Sequence, residues 1–131
     1  MSLPADRPPA RAAGAELLVL ARFEELAGWF FERTASWPKS ARFTMTQRLE
    51  NHALDVIEDL VVARYSPIER SRRLEDVNLR LERMRHLLRL AVRSRACPGS
   101  TFESTMRGLD EVGRMLHGWR STLRAQRRCE E

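Results

Sequence analysis

Residues 66–95 read SPIERSRRLEDVNLRLERMRHLLRLAVRSR. Ser66, Pro67 and Glu69 form a helix start signal: a capping hydroxyl, a proline at the first helical position and a glutamate three residues after the cap. Beyond it Leu74, Val77, Leu81, Met84, Leu88 and Ala91 recur at alternating three- and four-residue spacing. That period places all six on one side of a helix reaching about Arg95, as a heptad seam does. A second apolar strip, Leu79, Leu87 and Leu90, lies away from the seam. A helix in an isolated bundle needs one buried stripe, so this strip is read as an oligomer contact; the alternative is a broad core face.

Three further helices follow upstream and downstream of this one. Leu20, Phe23, Ala27, Phe30, Phe31 and Thr34 define a first helix over about 15–35, which must stop before Trp37-Pro38. Leu49, Ala53, Val56, Ile57, Leu60, Val61 and Arg64 define a second over about 45–65, with Glu50, Asp55, Glu58 and Asp59 off the stripe. Thr44 and Gln47 read as its capping box, with Phe43 just ahead of the cap. The break at Ala96-Cys97-Pro98-Gly99 ends the third helix. Ser100 and Glu103 then read as the capping box of a fourth, over about 101–127. Its inward face is Phe102, Met106, Leu109, Val112, Gly113, Leu116, Trp119 and Leu123. Gly108, Gly113 and Gly118 each cost that helix about 1 kcal/mol relative to alanine, which points to close helix approach or bending. Four amphipathic helices on short links predict an all-α, up-down-up-down four-helix bundle.

The 131 residues suit one domain. Residues 1–14, with Pro4, Pro8 and Pro9 and no apolar period, read as a disordered arm, 15–127 as the bundle, and 128–131 as a tail. No apolar run approaches the roughly 18–20 residues that span a bilayer. The first fifteen residues have no apolar core of a secretory signal. Cys97 and Cys129 make no disulfide framework. A cytoplasmic location is the expectation.

Catalytic and metal patterns are missing. Di-iron bundles use two Glu-x-x-His pairs with two further glutamates. Here Glu82 and His86 are four apart, His52 has no carboxylate three residues before it, and Asp110 is seven residues from His117. Cys97 has no local signature joining it to a base, and no phosphate-binding glycine loop or nucleophile elbow occurs. No enzyme, metal or cofactor is expected. A helix-turn-helix would have to use the 95–101 break, between helices too long for that motif.

The charge is the remaining signal. The net charge is +5, and Lys39 is the only lysine among 23 basic residues. Residues 1–67 hold 8 basic and 9 acidic side chains, whereas residues 68–131 hold 15 and 9. Between 80 and 95 stand Arg80, Arg83, Arg85, Arg89, Arg93 and Arg95 against one acid, Glu82. Arg85, Arg89 and Arg93 share a face at i, i+4 and i+8, and Arg107 and Arg114 make a row on the fourth helix. Guanidinium groups bind phosphates bidentately and release counterions. A solvated helix face, with arginine favoured by a GC-rich genome, is the bland alternative. The candidate nucleic-acid contacts are Arg83, Arg85, Arg89, Arg93, Arg107 and Arg114, with Lys39 and Arg42 added from the first connection. Few aromatics look exposed, so backbone and shape recognition is expected over base stacking.

The segments Pro38-Lys39-Ser40-Ala41-Arg42-Phe43-Thr44 and Gln47-Arg48-Leu49 carry a family resemblance. So do Leu54-Asp55, Ala63-Arg64-Tyr65, Asn78 to Arg85, and Leu109 to Trp119. In order and spacing, over roughly residues 16–120, the chain resembles the accessory variability determinant (Avd) proteins of diversity-generating retroelements. These sit in a wider bacterial four-helix-bundle group that includes proteins encoded in 23S rRNA intervening sequences. The resemblance implies a ring-like homopentamer with a basic surface. It also implies binding to a reverse transcriptase and to nucleic acid, template RNA or DNA, in support of mutagenic reverse transcription without catalysis. The alternative is a structural or interaction protein of the intervening-sequence group with no retroelement partner.

Overall fold

The computed structural model describes residues 10–130, with side chains from Gly14 onward. The arm read over residues 1–14 falls largely outside them. The described residues form helices α1 (Ala10–Thr34), α2 (Gln47–Tyr65), α3 (Arg70–Arg93) and α4 (Gly99–Glu130), with no strand. α1 is broken at Gly14, whose φ of 80° and ψ of 154° lie outside the helical region. The unbroken helix therefore begins where the apolar period begins.

Contacts between side chains establish the topology. Arg22 of α1 meets Glu111 of α4 at 3.2 Å, and a Cβ at Gly108 would strike Leu26. Thr34 at the end of α1 donates to Glu50 near the start of α2. Asp59 and Asp55 of α2 meet Arg73 and Arg80 of α3. Arg85 of α3 meets Asp110 of α4. The end of α1 meets the start of α2, and later residues of α2 meet earlier residues of α3, so neighbours run antiparallel and α4 closes back on α1. This is the up-down-up-down bundle expected from the short links.

All six seam residues of α3 are buried, as are Leu109, Val112, Leu116 and Trp119 of α4. Phe23 and Phe30 fill the α1 side of the core. Phe30 also packs edge-to-face on Trp37, with ring centroids 5.7 Å apart. On α4, Thr101 and Thr105 take the buried places in the first turns, while Phe102 and Met106 are half-buried beside them. Thr105 is tolerated there because its Oγ1 donates to the Thr101 carbonyl at 2.7 Å.

Several local expectations are corrected. Thr44 and Gln47 form no capping box: the chain makes a 3₁₀ turn at Lys39–Ala41 and a π-helical turn at Arg42–Thr46 before α2. The Thr44 hydroxyl donates backwards to Ala41. Ser66 does accept from the Glu69 amide, at 3.4 Å, but the Glu69 carboxylate turns to Arg73 instead of back to the cap. Regular α3 helix therefore starts later, at Arg70. That residue donates to the Ala63 and Arg64 carbonyls and so closes the end of α2. No Ser100 hydroxyl bond caps α4 among the described residues. α4 begins at Gly99 and continues past Arg127 to Glu130. Asp59, placed off the α2 stripe by its charge, is buried at 5% exposure, and Val61, placed on it, is exposed.

Candidate nucleic-acid interface

Two of the arginines in the basic stripe hold the bundle together. Arg80 bridges Asp55 at 3.2 Å and Asp59 at 3.1 Å, across to α2. Arg85 is only 15% exposed. It pairs with Glu82 on its own helix and with Asp110 of α4 at 3.2 Å, and it donates to the Leu109 carbonyl at 3.4 Å. Gly113 leaves the room for it: a Cβ there would sit 3.3 Å from the Arg85 guanidinium. Arg85, read as a phosphate contact, is instead a clamp between α3 and α4. Its charge is already answered by two carboxylates, and pulling it out to reach a phosphate would break both pairs.

The remaining arginines of the stripe differ in kind. Arg83, Arg89 and Arg93 are exposed, and none forms an ion pair among the described residues. At about 100° per residue they flank Leu79 and Leu90, with Arg83 on one side and Arg89 and Arg93 on the other. Leu79 and Leu90 are 49% and 51% exposed. Leu87, read as the third member of that strip, is half-buried against the core of its own chain. The strip away from the core is therefore Leu79 and Leu90 alone.

On α4, Arg107 and Arg114 are exposed and lie within about 20° of each other around the helix. Arg107 donates weakly to Ser104 at 3.4 Å, and Arg114 has no ion pair among the described residues. Lys39 is exposed on the 3₁₀ turn. Arg42 is half spent: it lies 3.5 Å from Glu50, which also accepts from Thr34.

One basic group escaped the reading of the sequence. Arg120, Arg124 and Arg127 of α4, with Leu123 of the same helix, meet Ser71 and Leu74 of α3 around an open hollow of about 190 Å³. The signal was present as an i, i+4, i+7 spacing. The three lie within the helix expected over 101–127, at the end of the resemblance or beyond it. No acid lines the hollow.

Two aromatics stand exposed. Phe43 is 86% exposed and Tyr65 72%, so stacking surfaces are available that the sequence did not suggest. Cys97 is buried and donates to Pro98. Burial pushes its thiol up to about 11, so the nucleophilic thiolate is scarce near neutral pH. The described residues contain no cluster of three or more His, Cys, Asp or Glu able to hold a metal ion. None of the described helices is long and apolar enough to cross a membrane.

The fold is an antiparallel four-helix bundle whose outer faces carry exposed arginines with no ion pair among the described residues. The chain belongs to the bAvd-like family, whose model matches residues 17–123 and so spans all four helices. No curated protein sequence matches the chain.

Proposed function

We propose that the protein is a non-catalytic accessory subunit of a diversity-generating retroelement, which binds nucleic acid through its exposed arginines and associates with a reverse transcriptase. Membership in the bAvd-like family supports the accessory role. The observation that carries the binding reading is the separation of the arginines into two sets. Arg80 and Arg85 are consumed by carboxylates, while Arg83, Arg89, Arg93, Arg107 and Arg114 are exposed and free of ion pairs among the described residues. Charge left unpaired on a folded surface is available to phosphate, and several such contacts make affinity steeply salt-dependent. Template RNA is the expected ligand, with DNA bound through the same backbone chemistry. Lys39 and Arg42 contribute less, since they stand apart from the α3 and α4 rows and Arg42 already faces Glu50.

In this reading the chain works in the cytoplasm as a ring-like homopentamer. Leu79 and Leu90 supply a subunit contact, because two exposed leucines on one face are unpartnered within the chain. A tagged pull-down from native cells, with and without nuclease, tests the reading. A reverse transcriptase recovered in both samples supports direct association, and recovery only without nuclease supports an RNA bridge. Recovery of neither the enzyme nor a discrete RNA contradicts the proposal.

A further inference from the structure

The α1–α2 connection holds features that the arginine rows do not use. The π-helical turn Arg42–Thr46 presents Phe43 almost wholly to solvent. Phe43 borders an open cleft of about 410 Å³, whose other walls include Gln47, Arg48, Asn51, His52 and Asp55. That volume lies in the range of small-ligand sites, about 300–1,000 Å³. π-helical turns concentrate at functional positions. Three buried side-chain atoms lack a hydrogen-bond partner among the described residues: Trp37 Nε1, Thr46 Oγ1 and His52 Nδ1. All three belong to this connection or to the first turns of α2. Folded chains seldom leave such groups unmet; of the three, His52 lines the cleft, where a polar ligand or water would complete its bonding, while Trp37 and Thr46 lie in the buried interior.

The chemistry of the walls selects the ligand. Here one aromatic ring stands among amides and charged groups. A flat molecule with a polar edge fits that set. We propose that the cleft receives an unstacked nucleobase from a single-stranded segment, with Phe43 against its face and the Gln47 and Asn51 amides at its edge. Arg48 is exposed beside them for the attached phosphate. Asp55 opposes an anion little, because Arg80 already lies 3.2 Å from its carboxylate. Burial, with Arg80 and Arg83 nearby, lowers the His52 pKa against the opposing pull of Asp55, so the ring is neutral near pH 7. A neutral ring packs beside a base without a charge to desolvate. The arginine rows grip backbone; this cleft adds contact with bases and gives preference for single strands.

The inference rests on the nucleic-acid reading above, so the test separates the two. Fluorescence anisotropy is measured with a mixed-sequence single-stranded RNA of roughly 12 nucleotides and with the matching duplex. The Phe43→Ala variant is expected to bind the single strand about tenfold more weakly, the scale of one lost base–aromatic stack. Its duplex affinity is expected to stay unchanged, with Phe43→Trp recovering the loss. Asn51→Ala, also at an exposed position, is expected to show a smaller loss in the same direction. Equal losses on both RNAs, or none on the single strand, overturn the cleft while leaving the arginine surface standing. Absence of binding to either RNA by the wild-type chain overturns both. A changed subunit count by light scattering with unchanged single-strand affinity assigns Phe43 to a protein contact and also overturns the cleft.

Discussion

Asp59 of α2 is buried against Arg80 of α3, with carboxylate oxygen and guanidinium nitrogen 3.1 Å apart. Its other oxygen accepts from Arg73 at 2.8 Å. One acid thus answers two arginines a full two turns apart on the neighbouring helix. Removing the acid takes the shared carboxylate from two α3 arginines, leaving Arg73 with Glu69 and Arg80 with Asp55. Asp59→Ala is expected to cost about 1.5–3 kcal/mol, the scale of hydrogen bonds to a charged group. Asp55→Ala, at an exposed partner of the same Arg80, is expected to cost less than about 1 kcal/mol. Urea unfolding of the two variants checks the difference, and equal losses would contradict the assignment.

The glycines of α4 are not equivalent. A Cβ at Gly108 would lie 2.5 Å from Leu26 Cδ1, whereas one at Gly118 meets nothing within 4 Å. Gly108→Ala requires the half-buried Leu26 methyl groups to shift, which is expected to offset most of its propensity gain of about 1 kcal/mol. Gly118→Ala is expected to stabilise by about 1 kcal/mol through propensity alone. A larger rise in melting temperature for Gly118→Ala than for Gly108→Ala is the predicted result, and equal rises would contradict it.

Arg95 ends α3 in the left-handed region, at φ 64°. The amides of Ala96 and Cys97 both return to the Ala91 carbonyl, so the turn requires this conformation. A residue with a Cβ is strained there by roughly 1–2 kcal/mol. Arg95→Gly is therefore expected to stabilise by about 1 kcal/mol after the glycine's extra unfolded-state freedom is subtracted. Arg95→Val is expected to destabilise. Thermal unfolding distinguishes these outcomes.

The α3 seam was legible because its period repeats over many turns, and the bundle followed from four such stripes. Asp59 and Arg85 were misplaced for a shared reason. Period and charge describe one helix at a time, but their partners lie 21 and 25 residues away on other helices. A carboxylate at the edge of a stripe looks solvated until the arginine opposite is known. Phe43 was read as a residue ahead of a cap, which would have packed it inward. The π-helical turn, which no local spacing announces, turns it out to solvent instead. The candidate site was thus legible as a charge excess, while the division between structural and free arginines required the fold.

His52 gives the chain a pH dependence of known sign. Its pKa is lowered in the folded state, first by burial and then by Arg80 and Arg83. As pH falls below the unfolded value of about 6.5, the unfolded chain takes up this proton before the folded chain does, so stability declines. Melting temperature is expected to fall between pH 7.5 and pH 5.5, both inside the usual titration range of histidine. His52→Gln is expected to reduce that fall. An identical decline in the variant would show that other groups account for it.

The most direct test of the central claim is the salt dependence of RNA affinity, compared between two variants. Charge reversal is avoided by using Gln throughout. In the triple variant Arg83→Gln, Arg89→Gln, Arg93→Gln the slope of log affinity against log salt should shrink by about 2–3, near 0.7–0.9 per lost phosphate contact. Its stability should be nearly unchanged. Arg85→Gln should do the reverse, lowering stability through the lost α3–α4 clamp while keeping the slope. An unchanged slope in the triple variant, or a slope lost with Arg85 alone, would contradict the account.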